Sequence, residues 1–305
     1  NYTFIATANA VKNSNATPWL IDISTESLTI NPELIVEELE RNTFFSNGYR
    51  YHKNLHKRVF ALIPVHVFGY APDLDALIEI SKTYNLKIIS DAAGGLGSIY
   101  KQKKLGKSVE SGIISFNGNK IITSGGGGIF FSENTNLVAQ VKHLASTAKK
   151  SADMYLHDQV GFNFRISNLH AALGLAQVER LDSILRKRLL TARKYEEAFR
   201  NCSYFKFLTP PSYTSSSNWL NTIVINKDLD FNINAFINYL NQNNLKIRHY
   251  WLPIHMQTAY KNCPRSVQSV SSNIYSRVIV LPSSTGLTDD DIVYSIEKIK
   301  AFFKI

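Results

Sequence analysis

The sequence predicts an α/β fold, with a large domain built on a mainly parallel sheet and a smaller α+β domain after it. In the first two thirds of the 305 residues, short apolar runs alternate with helical patterns, as expected for strands joined by parallel crossovers. A stretch rich in proline and serine, 209–218, precedes a shorter set of strands and helices. We place the two domains at 1–185 and 186–305.

The elements of the large domain follow from hydrophobic periodicity. The apolar run RVFALIPVHVFG, 58–69, predicts a buried strand, and 73–85 has apolar residues at helical spacing. Further apolar runs predict strands at 86–95, 111–119 and 127–134. Since these strands alternate with helices or turns, their carboxyl ends are expected to share one edge of the sheet.

Helical patterns dominate the remainder of the chain. One long helix is predicted from Ser167 to about Phe199, with Ser167 as its N-cap. Beyond the proline-rich stretch, the pattern predicts a strand at 220–226, a helix at 231–243 and an amphipathic helix at 288–303. This order of elements indicates a second, smaller α+β unit.

Charge and composition bound the class of partner. The chain holds 34 Lys and Arg against 24 Asp and Glu, so its net charge of +10 suits an anionic ligand. The basic residues are scattered, as at Lys101, Lys103 and Lys104, so we expect a solvated surface and no nucleic-acid partner. No apolar run reaches the roughly 18 residues that span a bilayer, and no membrane partner is expected.

Cysteine use points to a reducing compartment. Cys202 and Cys263 are the two cysteines, and their wide separation fits neither a CxxC motif nor a zinc site. We therefore expect a cytoplasmic protein without a bound metal.

Polar residues with chemical potential follow two of the predicted strands. Asp91 comes after LKIIS, and Ser115 comes after SGII, with Lys120 five residues further on. Asp91 alone could be a helix cap, and Lys120 alone an exposed loop residue. Together they suit pyridoxal phosphate, because that cofactor needs a carboxylate at its ring nitrogen and a lysine amine for its aldehyde.

Four consecutive glycines, 125–128, follow Lys120. They could form a loose hairpin loop, or a backbone that approaches a bulky ring and adopts positive φ. The phosphate-loop pattern GxxxxGK[ST] is absent, so a nucleoside triphosphate site is not predicted.

Several ordered motifs resemble one enzyme family. TFIATANA (3–10), PVHVFGYAPDLDALIEI (64–80), SFNGNKIITSGGGG (115–128) and HDQVGFNFRISNLHAALG (157–174) are similar to the DegT/StrS-type sugar aminotransferases. The form SFNGNK looks closest to the branch that makes 4-amino-4,6-dideoxy nucleotide sugars, as in the bacillosamine and legionaminic-acid pathways. The resemblance implies the aspartate-aminotransferase-type fold, called fold type I, and a homodimer with shared active sites.

The resemblance also implies roles in binding pyridoxal 5′-phosphate. Lys120 would carry the cofactor, Asp91 would face the ring nitrogen, and both would be catalytic. Ser115 would hold the phosphate, and Phe4 would stack on the ring. Asn163 would reach the phosphate of the neighbouring subunit.

Substrate contacts are implied for three further residues. His157 and Arg165 flank the GFNFR motif, and His255 lies in HYWLPIH, which resembles the small-domain segment near the substrate. The implied reaction moves an amino group from glutamate to a 4-keto-6-deoxy nucleotide sugar. A UDP-linked N-acetyl sugar destined for a surface polysaccharide or glycan is expected.

The sequence departs from the family pattern at two places. Gly94 follows DAA, where members often carry Gln, His or Glu, so a side chain near the ring or substrate is missing. Members also have several dozen residues before TFIATANA, including a turn whose backbone amides bind the cofactor phosphate. We expect such a segment to precede Asn1 in the complete protein, or this chain to be truncated.

Three alternatives stay open at this stage. A pyridoxamine-dependent sugar dehydratase would share the fold, but those enzymes replace the lysine with histidine, and Lys120 argues against it. A truncated, cofactor-poor chain could instead be an inactive or non-enzymatic sugar-binding or regulatory relative. A nucleic-acid binder would require salt-dependent affinity for DNA.

Overall fold

The computed structural model describes residues 1–105, 109–151 and 153–305. Its helices are α1 (Ala6–Asn13), α2 (Pro32–Asn42), α3 (Leu74–Thr83), α4 (Thr135–Ala145), α5 (Asn168–Glu179), α6 (Leu181–Phe199), α7 (Ile233–Gln242), α8 (Ser269–Ile274) and α9 (Asp289–Phe303). The described residues include no helix long and apolar enough to cross a membrane. They also include no group of three His, Cys, Asp or Glu that could hold a metal ion.

The strands are short and fall into several small sheets. They are β1 (Thr43–Ser46), β2 (Tyr49–His52), β3 (Ala61–Leu62), β4 (Lys87–Ile88), β5 (Ser90–Asp91), β6 (Ile99–Tyr100), β7 (Lys103–Lys104), β8 (Ser111–Ser115), β9 (Gly128–Ser132), β10 (Phe205–Phe207), β11 (Thr214–Ser215), β12 (Thr222–Ile225) and β13 (Val278–Val280). The hairpin of β1 and β2 has no counterpart among the strands predicted from the sequence.

Parallel pairing dominates the centre of the large domain. Strand β3 is parallel to β4, and β5 is parallel to β8. A parallel bridge between Val65 and Asp91 links the first pair to the second. Strand β9 closes this group antiparallel to β8. The predicted mainly parallel sheet is therefore observed, and Asp91 and Ser115 end neighbouring strands.

Helices α2 and α3 pack against each other, and α3 packs on strands β3 and β4. The apolar side chains that pack between them are Ile35, Leu39, Leu74, Leu77 and Ile80. Burying such a set in one core stabilises the sheet edge at which Asp91 lies. The helix predicted for 73–85 is confirmed as α3.

A second core lies around an antiparallel sheet. Strand β12 pairs with both β10 and β13, and helices α6, α7 and α9 contribute buried residues to the same core. This matches the smaller α+β unit expected from the sequence. The boundary at 185 and 186 stays a prediction, because α6 continues through it.

The single long helix predicted from Ser167 to Phe199 is wrong. Two helices occupy this range, and Arg180 between them has φ −100° and ψ 3°, outside the helical region. Ser167 is confirmed as the N-cap of the first helix, accepting a hydrogen bond from the amide of His170. Both halves carry apolar residues at helical spacing, so periodicity alone does not reveal a break of one residue.

The strand predicted at 58–69 is also shorter than expected. Only Ala61 and Leu62 pair as a strand, and a 3₁₀ turn occupies Val67–Gly69. Pro64 lies between these two elements and has no N–H to donate to a neighbouring strand.

Candidate active site

Asp91 lies at the carboxyl end of β5, with its carboxylate held on both oxygens. Oδ2 accepts a hydrogen bond of 2.6 Å from the hydroxyl of Thr7, and Oδ1 accepts one of 3.1 Å from the amide of Ala93. The first bond comes from α1 and the second from the turn that follows Asp91. Because the two donors come from different segments, the orientation of the carboxylate is fixed.

Lys120 lies in an ordered connection between β8 and β9. The amide of Phe116 donates to the carbonyl of Gly127, and the amide of Ser124 donates to the carbonyl of Phe116, each at 3.0 Å. The side chain of Ile122 is buried and anchors the middle of the connection. These contacts exclude the loose hairpin that the sequence left open.

Three of the four glycines in the tract 125–128 have a structural requirement for glycine. Gly125 and Gly127 have φ of 82° and 88°, in the left-handed region that favours glycine. Gly128 begins β9, and a Cβ there would lie 2.5 Å from the carbonyl oxygen of Ile114. A Cβ at Gly126 would meet no heavy atom within 4 Å.

The amine of Lys120 is half-buried and lies next to an aromatic ring. Its Nζ is 3.9 Å from the centroid of the Trp219 ring. Burial lowers the pKa of the Lys120 ammonium below its ordinary value, and the Asp91 carboxylate opposes that shift. The connection that carries Lys120 follows β8, which pairs with β5, so Lys120 and Asp91 come from the same edge of the sheet. A lowered pKa increases the neutral fraction of the amine, which is the nucleophilic form.

Ser115 ends β8, the strand next to β5 in the sheet. Its hydroxyl is half-buried and accepts a hydrogen bond of 3.3 Å from the amide of Asn117. In the parallel register Asp91 pairs with Ile113, so Ser115 lies two residues beyond it at the same edge. The structure therefore brings Asp91, Ser115 and Lys120 together.

Phe4 has an exposed aromatic face, as a ring-stacking role requires. Its side chain is 51% exposed, so it is not the core residue that a phenylalanine commonly is. Its ring lies 5.6 Å from that of Trp251, which is 6.1 Å from that of Trp219. These three rings form an aromatic wall that leads from α1 to Lys120.

The predicted residues of the GFNFR region lie in an exposed segment. His157 contacts the carbonyl of Thr147 through Nδ1 at 2.7 Å. Asn163 forms an isolated bridge with Ser146, and its side chain, like that of Arg165, is exposed. These contacts of His157 and Asn163 are to Thr147 and Ser146, which follow α4, and not to Lys120.

His255 is held by a different set of polar groups. Its Nδ1 lies 2.8 Å from Nδ2 of Asn1, and its Nε2 lies 3.1 Å from the hydroxyl of Ser272. Burial lowers the pKa of the His255 imidazolium. Both ring nitrogens are therefore used in contacts that do not involve Lys120.

A cavity of about 600 Å³ opens beside Lys120. Its basic lining residues are Lys120, Arg188, Lys246 and Arg248, and its described lining includes no Asp or Glu. Burial lowers the pKa of Arg188 to about 10, so its guanidinium stays charged at neutral pH. The cavity is consequently suited to an anionic ligand.

Sequence reasoning missed two residues of this site. Thr7 lies three residues after Phe4 in the same TFIATANA motif, so its hydroxyl was visible in the sequence. Trp219 could not be identified from the sequence, because it lies 99 positions after Lys120 and no motif connects the two residues.

The side chains present fit pyridoxal phosphate. They provide an amine with a lowered pKa, a carboxylate of fixed orientation, a half-buried hydroxyl and an exposed aromatic face. These are the groups that such a cofactor needs for its aldehyde, ring nitrogen, phosphate and ring face.

Comparison with known proteins points in the same direction. The sequence model of the DegT/DnrJ/EryC1/StrS aminotransferase family matches residues 1–300. A GDP-perosamine synthase of Vibrio cholerae is 29% identical over 99% of this chain and 78% of its own length. A UDP-4-amino-4,6-dideoxy-N-acetyl-beta-L-altrosamine transaminase of Campylobacter jejuni is 31% identical over 73% of this chain and 56% of its own length.

A solved structure shows the same architecture. The DegT DnrJ EryC1 StrS aminotransferase from Brucella abortus superposes with a TM-score of 0.88 at 26% identity, over 99% of this chain and 77% of that one. The predicted aspartate-aminotransferase-type fold is thereby confirmed.

Proposed function

Since the chain belongs to the DegT/DnrJ/EryC1/StrS aminotransferase family and is a pyridoxal phosphate-dependent sugar aminotransferase, we propose that it moves an amino group from glutamate to a 4-keto-6-deoxy nucleotide sugar. The acceptor is a UDP-linked N-acetyl sugar, and the product serves the synthesis of a surface polysaccharide or glycan. The reaction takes place in the cytoplasm, a reducing compartment compatible with the free cysteines Cys202 and Cys263.

One observation carries the proposal. Asp91 ends β5, the half-buried Lys120 lies in the connection after the neighbouring parallel strand β8, and the Asp91 carboxylate opposes the lowering of the Lys120 pKa by burial. A lysine whose ammonium is destabilised by burial, next to a fixed carboxylate, is the arrangement that imine-forming enzymes require.

Each residue of the site has one task in this proposal. Lys120 holds pyridoxal phosphate through its Nζ, and Asp91 holds the ring nitrogen in its protonated form. Ser115 donates its hydroxyl to the phosphate, and Phe4 covers one face of the ring. When bound, the cofactor supplies an electron sink for the carbon that gains or loses the amino group.

Lys120 has a second task once its amine is released. Its Nζ then accepts a proton from the donor amino acid and returns one to the acceptor sugar, as a general base and acid. The lowered pKa of its ammonium suits this exchange near neutral pH.

The basic cavity provides a place for the anionic parts of the substrates. Lys246 and Arg248 line the same cavity as Lys120. We assign the diphosphate of the nucleotide sugar to this charge, because guanidinium and ammonium groups bind phosphate oxygens with short, charge-assisted hydrogen bonds. His157, Arg165 and His255 remain candidates for contacts to the sugar and nucleotide.

The choice of a UDP-linked sugar rests on two similarities. The SFNGNK motif resembles the 4-amino-4,6-dideoxy branch, and the Campylobacter jejuni relative is named for a UDP sugar. The Vibrio cholerae relative is named for a GDP sugar, which makes GDP the principal competitor.

The working unit in this proposal is a homodimer. The segment 154–178 exposes several large apolar side chains, which are Met154, Tyr155, Leu156, Val160, Phe162, Phe164, Ile166, Leu169, Leu173, Leu175 and Val178. Exposed apolar surface of this extent marks an interaction site. Asn163 lies within it, so a second copy placed here receives Asn163 at its own cofactor phosphate.

The test uses the purified chain, pyridoxal phosphate, glutamate and a panel of UDP- and GDP-linked 4-keto sugars. Lys120→Met serves as the matched control. An absorbance band of lysine-bound cofactor that glutamate discharges and one keto sugar restores supports the proposal. Absence of stoichiometric cofactor binding would favour a non-enzymatic relative, and loss of water from the sugar without amine transfer would favour a dehydratase.

A further inference from the structure

Trp219 is held at both ends. Its indole Nε1 donates a hydrogen bond of 2.7 Å to the carbonyl of Asn119, the residue before Lys120. Its own carbonyl accepts a hydrogen bond of 2.9 Å from the guanidinium of Arg188. The side chain is only 3% exposed and packs with Ile122 and other apolar residues of the Lys120 connection. The position of the indole is therefore determined by its surroundings.

The indole occupies the space in which a side chain at position 94 would lie. A Cβ built on Gly94 would come within 2.4 Å of Cε3 and 2.8 Å of Cζ3 of Trp219. Gly94 does not have a positive φ, so its backbone accepts any residue and packing alone requires glycine. The departure from the family pattern at this position thus coincides with a tryptophan that fills the vacated volume.

The same indole contacts the reactive amine. Nζ of Lys120 lies 3.9 Å from the ring centroid, within the distance at which a cation is attracted to an aromatic face. One ring therefore touches both Lys120 and the turn that carries Asp91, since Gly94 is three residues after Asp91.

We propose that Trp219 is a positioning residue that orients Lys120 towards pyridoxal phosphate, and that Gly94 is required because it leaves room for this indole. The inference rests on the proposed function in that it takes Lys120 as the cofactor-binding amine. In this inference the Trp219 indole packs beside Lys120, and a larger residue at position 94 would displace the indole.

Covalent trapping on the full chain tests this inference without measuring turnover. The Lys120 amine replaces the aldehyde oxygen of pyridoxal phosphate, which leaves as water, and borohydride then adds hydride to that carbon. The stable secondary amine is assigned to Lys120 by mass spectrometry of the digested protein. The labelled fraction at increasing cofactor concentration gives an apparent affinity.

Trp219→Leu and Trp219→Phe separate the aromatic face from apolar filling. Trp219→Leu removes the ring that holds the Lys120 side chain in place and should weaken capture about tenfold, since a small displacement of a reacting group can cost up to about a hundredfold. Trp219→Phe keeps a ring but loses the hydrogen bond to Asn119, so capture should fall by only about threefold. The near-ultraviolet circular dichroism of the bound cofactor should change in the leucine variant and not in the phenylalanine variant, because it reports the orientation of the ring.

Gly94→Ala provides a second and independent arm. In the natural background its Cβ displaces the indole and should weaken capture by about as much as Trp219→Leu. In the Trp219→Phe background the smaller ring leaves space, so the same substitution should have little effect. This arm remains informative if Trp219→Leu fails to fold, and thermal melting of each variant identifies such a failure.

The two levels of the hypothesis fail in different ways. If Lys120 of the unmodified chain is not labelled, the proposed function is wrong. If Lys120 is labelled and Trp219→Leu captures the cofactor as well as the unmodified chain, the role of Trp219 is wrong. An equal effect of Gly94→Ala in both backgrounds overturns the pairing of Gly94 with Trp219.

Discussion

The hydroxyl of Thr7 lies 2.6 Å from Oδ2 of Asp91 and joins the first helix to the end of a central strand. The bond links the two segments that carry Phe4 and Asp91, which are proposed to contact the face and the nitrogen of one ring. Thr7 is therefore the contact through which α1 positions the carboxylate.

Replacing Thr7 tests how much this hydrogen bond contributes to the affinity for pyridoxal phosphate. Thr7→Val keeps the shape and removes the donor, so Asp91 loses one of its two hydrogen bonds. We expect the apparent affinity for pyridoxal phosphate to fall about tenfold, the scale of a hydrogen bond to a charged group. Absorbance titration measures it. Thr7→Ser keeps the hydroxyl and should behave like the unmodified chain, and equal affinities for the valine and serine variants would refute the role of the bond.

Asp91→Asn keeps the size of the side chain and removes its charge. Without a carboxylate the cofactor nitrogen loses its partner, so the half-reaction with glutamate should slow by about a hundredfold or more. Single-turnover absorbance on the cofactor-loaded protein measures this rate. Lysine-bound cofactor should still form, because Lys120 is intact. A rate close to that of the unmodified chain would show that Asp91 does not face the ring nitrogen.

The fold was predictable from sequence to the extent that it depends on local pattern. Helix α3 and the strand around 111–115 follow from periodicity, and their order gave the α/β class. The break at Arg180 was not predictable, since it depends on how α5 and α6 pack and not on any residue that stops a helix.

The site was predictable only where its residues lie close together in the chain. Ser115 and Lys120 share one connection, and Asp91 ends the neighbouring strand, so strand pattern brought them together. Trp219 was missed because its contacts with Lys120 and Gly94 are long-range and depend on how the chain packs. The absence of a side chain at position 94 was visible in the sequence, but its cause was not.

Lys120 should destabilise the folded chain at neutral pH. Burial lowers the pKa of its ammonium, so between the folded and unfolded pKa values the unfolded state binds more protons and stability rises with pH. Below the folded pKa the cost of burying the charge is fully present. Lys120→Met should therefore raise the free energy of unfolding at pH 7 by about 1 kcal/mol. Urea unfolding of the cofactor-free protein at pH 7 and near the unfolded pKa of about 10.4 measures it. The gain should shrink at the higher pH, and a gain that is constant with pH would contradict the explanation.

His66 should make the fold sensitive to acid. It is buried with Nε2 at 2.6 Å from the hydroxyl of Ser90, and burial lowers its pKa from 6.5 to about 3. Below pH 6.5 the unfolded chain gains a proton that the folded chain does not, so stability present above that pH is lost as the pH falls towards 3. The loss from this group approaches about 1.4 kcal/mol per pH unit within that window.

His66→Gln removes the titrating group and keeps a polar side chain near Ser90. The free energy of unfolding should then depend less steeply on pH between 6.5 and 3. Denaturant unfolding at several pH values compares the two slopes. Equal slopes would assign the acid sensitivity to other groups.

Helix α5 exposes an apolar face that the described residues leave largely uncovered. Gly174 is the one buried residue of this helix, whereas Leu169 and Leu173 are 84% and 47% exposed and lie one turn apart on the same side. Leu169→Glu and Leu173→Glu place charge in the proposed dimer interface and should convert the dimer to monomers, as light scattering after size-exclusion chromatography would show.

Val293→Glu on α9 is the control, because Val293 is 48% exposed and lies outside segment 154–178. The monomeric variants should also bind pyridoxal phosphate more weakly, because the proposed contact of Asn163 with the neighbouring cofactor phosphate would be lost. If the unmodified chain is monomeric at micromolar concentration, or if the glutamate variants remain dimeric, the assignment of this face to a second copy is wrong.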